Sequence, residues 1–184
     1  EDFAPPFRVE ATIKVPPALG TWAAFWMLPT ENLHGGWPHS GEIDIMEHVG
    51  YDRGVVHQTV HTGKYNHMKG TQNGVAQSVA TADSELHTYG CEVTSSEVKF
   101  FIDGAQTHSF VNDGTGPEAW PFNARFHLVM NLAIGGDWGG AQGVNLSELP
   151  QSMVVKSVKV WAADQPQPHG EPEPTVSPVA PFNQ

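Results

Sequence analysis

Cysteine is nearly missing from this chain of 184 residues: Cys91 is the single one, so no internal disulfide can hold the fold. It lies in the strand-like run Thr88–Val93, where a lone thiol reads as a small buried apolar group. Basic residues are scarce as well, with 9 Lys and Arg against 20 Asp and Glu and a formal net charge of −11. Phosphate-rich surfaces demand basic patches, which argues against nucleic acid and anionic membranes as partners and leaves neutral ones compatible. No apolar run approaches the ~20 residues that cross a bilayer as a helix. Ten histidines are present, yet there is neither an H-E-x-x-H motif nor a Cys/His cluster. A zinc site built on His57, His61 and His67 therefore has no motif behind it, and no metal is expected.

A long helical periodicity is the remaining absence. Period-two alternation takes its place, together with 19 Gly and 15 Pro, and this points to an all-β fold in a single domain. Phe7–Val15 alternates as a half-buried strand that ends at Pro16-Pro17. Trp22–Leu28 is a continuous apolar run, either a central strand or a helical turn, and its length and aromatic content favour the strand. Val55–Thr62 puts His57, Thr59 and His61 on one face. Lys64–Asp83 reads as a surface loop with a short strand near Val75–Val79. Glu85–Val93 and Glu97–Ile102 follow as strands, and Asp103-Gly104 supplies a hairpin turn into Gln106–Phe110. Pro117–Phe122 is an aromatic loop whose Trp120 either lines a cleft or caps the core. In Arg125–Ile134, Phe126, Leu128, Met130 and Leu132 form an inward set, and His127, Val129, Asn131 and Ala133 an outward one. Gly135–Gly140 presents Trp138, and Met153–Trp161 is the last strand. The domain is expected over 1–163. Residues 164–184 form a Pro-rich tail or linker suited to extended polyproline II conformations.

Chemistry concentrates in Gly41–His48, which carries Glu42, Asp44 and Glu47 among apolar side chains. Glu42 and Asp44 share one face of a strand, whereas the odd offset of Glu47 sends it to the other. A one-residue bulge at Met46 returns it. Three acids on one face cannot all ionise freely, so one stays charged and one protonated, as a glycosidase requires. A solvated strand face would carry the same letters, but His34–Ser40 adds a Gly-rich turn and the ring of Trp37 beside the acids. Sugar rings offer apolar faces and polar edges, which makes Trp26, Trp37 and Trp138 candidate platforms.

Trp22–Pro29, Gly36-Trp37-Pro38, Gly41–Glu47 and Met130–Trp138 together resemble glycoside hydrolase family 16, in its laminarinase-like (endo-1,3-β-glucanase) branch with the bulged acid motif. The resemblance runs from about Phe7 to about Trp161. It implies a concanavalin A-like β-jelly-roll sandwich and a secreted, retaining hydrolase of 1,3-β-glucosidic bonds in laminarin-type or mixed-linkage β-glucans. Glu42 would be the nucleophile, Asp44 the assisting acid and Glu47 the general acid/base; His61 and Asn131 would contact substrate. No cofactor is required.

Two departures from the family stand out. Strands that precede Phe7 in family members have no counterpart, so the sandwich is expected to lack N-terminal strands. A separate segment, a longer parent chain or self-association through exposed strand edges would complete it. Lys156 stands where the final strand of the family carries a calcium-binding Asp, and an ammonium coordinates no cation, so structural calcium is not expected. The alternative function is a non-catalytic glycan-binding or assembly protein on a truncated glucanase core.

Overall fold

Alternating apolar side chains build two antiparallel sheets in a computed structural model that describes residues 1–162. The strands in chain order are β1 (Asp2–Phe3), β2 (Phe7–Lys14), β3 (Thr21–Pro29), β4 (Glu42–Val49), β5 (Val55–His61), β6 (Asn73–Ser78), β7 (His87–Val93), β8 (Glu97–Ile102), β9 (Ala105–Val111), β10 (Phe126–Ile134) and β11 (Val154–Ala162). Six of them form one sheet in the order β1-β10-β3-β4-β5-β6, and five form the other, β11-β2-β7-β8-β9. The all-β sandwich is as expected, with three additions: the short β1, and 3-10 turns at His67–Lys69 in the loop after β5 and at Leu146–Glu148 before β11. The expected tail, 164–184, lies outside the described residues.

Each strand gives the core one of its faces. Val9, Ala11 and Ile13 of β2, Tyr89, Cys91 and Val93 of β7, and Val98 and Phe100 of β8 meet Phe25, Met27, Ile43, Ile45, Val56 and Val60 from the other sheet, all buried. Cys91 is thus a core residue whose thiol burial keeps protonated. Trp120 caps the core, stacked on Phe110 at 5.7 Å and edge-on to Phe122 at 5.2 Å. At the β8–β9 hairpin both turn residues are left-handed, Asp103 at φ 50° and Gly104 at φ 79°, as a type I′ turn requires.

One flank of the sandwich is open. β6 lies against β9 and β4 against β7, which places β10 and β11 on the same side. β1 pairs with β10 only at His127 and Phe126, so Leu128–Ile134 has no second neighbour among the described residues. Leu128, Met130 and Leu132 touch the core without being enclosed by it. On β11, Val154, Val155 and Val158 are about two-fifths exposed. Lys156 sits on this strand at the register shift between Val155 and Ser157.

His48 on β4 is wholly buried with neither ring nitrogen hydrogen-bonded. Burial opposes its protonation and lowers its pKa to about 4. The unfolded chain takes up this proton near 6.5, so between about pH 6.5 and 4 the unfolded state binds more protons and stability falls with acidification. The loss amounts to roughly 3 kcal/mol at ~1.4 kcal/mol per unit. His48→Phe is expected to lose less stability than the parent between pH 7 and pH 4, measured by denaturant unfolding at each pH.

Candidate active site

Rows of side chains cross the outer face of the six-stranded sheet. β3 supplies Trp22, Ala24, Trp26 and Leu28 by simple alternation, its other face being buried. β4 supplies Glu42 and Asp44 and then breaks step. Trp26 pairs with Asp44 but Phe25 pairs with Met46, and across β5 Thr59 pairs with Asp44 while His57 pairs with Glu47. One extra residue is therefore accommodated at Ile45–Met46, and both of these side chains are buried. The bulge lies where the odd spacing of Glu47 requires it, and it restores Glu47 to the face of the other two acids. Two rows result: Val129, Trp26, Asp44, Thr59; and Asn131, Ala24, Glu47, His57.

A buried glutamine supports the bulge. Gln58 lies between Thr59 and His57 with its side chain in the core, where its amide donates to the Ile45 carbonyl at 3.0 Å and its oxygen accepts from Thr107. Sequence reasoning passed over Gln58, because a polar residue among Val56 and Val60 reads as a flaw in an apolar face. Its position opposite the expected bulge was the available signal.

Each glutamate accepts one indole N–H. Trp37 Nε1 donates to Glu42 Oε2 at 2.9 Å, and Trp22 Nε1 donates to Glu47 Oε1 at 3.0 Å. His61 is buried with Nε2 3.3 Å from Asp44 Oδ2 and 3.9 Å from Glu42 Oε1. It also touches Trp37 and His67, and these two rings lie 5.0 Å apart. Trp26 donates to Asn131 Oδ1 at 2.8 Å. A cleft of about 560 Å³ opens beside Glu42, lined by Trp26, Trp37, His67 and His127 among others. Trp138 is half-buried away from that cleft, with its ring edge-on to Trp22 at 5.3 Å and to His57 at 4.9 Å.

Burial and mutual repulsion separate the protons of the three acids. Asp44, fully enclosed and next to the Glu42 charge, is raised well above the ordinary carboxyl range. Glu42 is raised by burial, opposed by His61, by the Trp37 hydrogen bond and by Asp44. Glu47 is pushed to about 8 by burial and by the charge of Asp44, against the Trp22 hydrogen bond. His61 is lowered by burial, so at neutral pH it is a neutral ring among acids. At neutral pH, then, Glu47 holds its proton, and between Glu42 and Asp44 the deeper burial of Asp44 makes Glu42 the favoured anion. Glu42, Asp44 and His61 also offer three ligand atoms within 4.8 Å of one another, the spacing of a cation site.

The family model for glycosyl hydrolases family 16 matches residues 7–166. The chain belongs to that family. It is 47% identical over 161 residues to a beta-glucanase of Rhodothermus marinus, covering 84% of this chain and 56% of that protein. A glucan endo-1,3-beta-glucosidase A1 of Niallia circulans is 34% identical over 164 residues, with 84% of this chain and 24% of that protein covered. The X-ray structure of the laminarinase from Rhodothermus marinus superposes with a TM-score of 0.86 at 42% identity, over 88% of this chain and 67% of that one. The chain thus spans little more than half the length of the beta-glucanase it matches.

Among family 16 features read from the sequence, Glu42, Asp44, Glu47, Trp26, Trp37, His61 and Asn131 come together on one face. Trp138 lies at its margin. Trp22 and His67 were missed: Trp22 is hidden by an apolar run whose alternation shows only once β3 is known to have one open face, and His67 is brought in by a loop.

Replacing Gln58 by Leu is expected to leave the Ile45 carbonyl and the Thr107 hydroxyl unsatisfied, at a cost of about 1–3 kcal/mol. For a chain of this size that lowers the thermal midpoint by roughly 2–12 °C, to be read by circular dichroism. An unchanged midpoint would refute the support assigned to this residue.

Proposed function

We propose that this chain carries the catalytic machinery of a retaining endo-hydrolase of 1,3-β-glucosidic bonds, acting on laminarin-type and mixed-linkage β-glucans. The observation that supports it most is the return of Glu47 by the bulge to the face of Glu42, with protons favouring a charged Glu42 and a neutral Glu47. Retention requires that pair: a carboxylate to attack the anomeric carbon and an acid to protonate the leaving oxygen, ~5–5.5 Å apart. Glu42 displaces the leaving sugar and forms a glycosyl ester as Glu47 gives up its proton. Water then attacks the ester, Glu47 takes a proton from it, and Glu42 leaves as the carboxylate. Asp44, which burial and the Glu42 charge make the readier of the two to hold a proton, offers the nucleophile a hydrogen bond that favours its anion. Carboxyl groups alone supply both roles, so the reading needs no resident cofactor.

Trp26 and Trp37, on the rim of the cleft beside Glu42, suit the apolar faces of glucose rings. His61 and Asn131 supply polar contacts, and Trp138 acts on the opposite side of Glu47. The names of the relatives support the substrate: one is a beta-glucanase and another a glucan endo-1,3-beta-glucosidase. Action on a polymer suits a reaction outside the cell. The open flank along β10 and β11 is completed by a further segment, a reading supported by the greater length of the Rhodothermus marinus relative and by the liability of exposed strand edges.

Reducing-sugar release from laminarin, lichenan and agarose tests the assignment. Glu42→Gln is expected to abolish release with the fold intact, and Glu47→Gln to lower it by about 10²–10⁴-fold; near-parental rates in either variant sink the role of that glutamate. Activity should decline above about pH 8, where Glu47 loses the proton it must donate, and at acid pH as Glu42 gains one. Proton NMR of the reaction should record the β-anomer first, and an initial α-anomer would exclude retention.

A further inference from the structure

Glu47 sits in a collar of three rings, two of which, Trp22 and His57, the proposed mechanism leaves without a task. Ala24 faces it from β3 and His57 from β5, and Trp22, one step along β3 on the same face, reaches it diagonally with Nε1 3.0 Å from Oε1. Trp138 leans edge-on against both Trp22 and His57. The loop that carries Trp138 presses its backbone onto the Trp22 indole. A Cβ added at Gly139 would come within 2.8 Å of Trp22 Cβ and 2.6 Å of the Gly135 carbonyl, and one at Gly136 would touch the six-membered ring at 3.9 Å. Backbone bonds from Gly135 to the Gly20 carbonyl at 2.7 Å and from Gly140 to the Gly136 carbonyl at 3.0 Å hold the loop down. The loop therefore backs one side of the Trp22 side chain and limits its movement away from Glu47.

An indole nitrogen donates and never accepts. A protonated carboxyl has one O–H and one bare oxygen, and a proton on Oε1 would stand head-on to the Trp22 N–H. We infer that Trp22 is the positioning residue of Glu47, fixing Oε1 as a hydrogen-bond acceptor and so confining the transferable proton to Oε2. This rests on the acid/base role proposed for Glu47. In the first half of the reaction the Oε2–H bond breaks and its proton goes to the leaving oxygen. In the second half Oε2 takes a proton from the attacking water, which restores the starting state. Throughout both halves Oε1 keeps the same donor. That bond strengthens as Glu47 becomes an anion, because hydrogen bonds to ionised acceptors are the stronger ones. Trp22 thus favours the charge that develops when the acid acts. Trp138 and its glycine loop keep the donor in place and water away from it.

Two substitutions with opposite signs test this in the intact chain. Trp22→Phe keeps a ring and removes the N–H; the Glu47 anion loses its donor, so carbon-13 NMR of the Glu47 carboxyl is expected to record titration at higher pH than in the parent. The alkaline limb of the rate profile should move up with it. With laminarin, kcat should fall about ten- to hundredfold, the worth of one hydrogen bond to a charged group, while KM stays within about twofold. Trp138→Ala admits water to the collar, and the Glu47 titration is expected to move to lower pH. A loss of packing alone would lower activity at every pH and leave the titration of Glu47 where it was. An unmoved or downward titration in Trp22→Phe, or an unmoved or upward one in Trp138→Ala, overturns the inference. The NMR readout needs no turnover: both shifts without glucan hydrolysis by the parent would defeat the hydrolase reading and leave the role of Trp22 standing, and hydrolysis without the shifts would do the reverse.

Discussion

A buried amide, that of Gln58, donates to a backbone carbonyl inside the bulged segment of β4, and the geometry of the site follows from that contact. A bulge disturbs the ladder and leaves polar backbone groups to be satisfied elsewhere, in this case within the core. With the disturbance absorbed, Ile45 and Met46 can both face inward and Glu47 can face outward. The chain places an extra apolar residue in the core and recovers in exchange a third acid on the outer face. The two halves of that trade come together, since a regular pleat through Ile45 and Met46 would turn Glu47 into the sandwich.

Much of this was legible beforehand because it depends on counting. Spacing alone places Glu42 and Asp44 together and Glu47 out of step, and the outward set of β10 with His127 and Asn131 follows from the same period of two. What counting misses is anything set by contact across strands. Trp22 lay inside a run that looked uniformly apolar, and only the sheet order reveals that one face of β3 is open. His67 reaches Trp37 because Asn66, buried and bonded to the carbonyls of Thr62 and Gly63, folds its loop back over the sheet. Trp120 had two equal readings, and aromatic packing with Phe110 and Phe122 decides for the core. The pairing of β1 with β10 involves two residues, too few for any periodicity.

The open flank bears on the site less than its size suggests. The acids sit on β4, with β3 and β10 between them and the exposed edge on one side and β5 and β6 on the other. Side chains on that central strand are positioned by immediate neighbours, all of which are present. The flank instead affects the cohesion of the two sheets, because Leu128, Met130, Leu132 and the valines of β11 contribute less burial than enclosed residues would. Geometry at the acids and overall stability are in this way partly separable in the chain.

The indole bonds to Glu42 and Glu47 have a spectroscopic consequence. Excited indoles respond to charge and hydrogen bonding at their nitrogen, and here two of the six tryptophans donate directly to carboxyl groups of the site. Trp22 is packed under Trp138 while Trp37 is about two-fifths exposed, so the two rings differ in accessibility to a soluble quencher. The chain therefore carries an intrinsic optical readout of which glutamate is ionised, without any label.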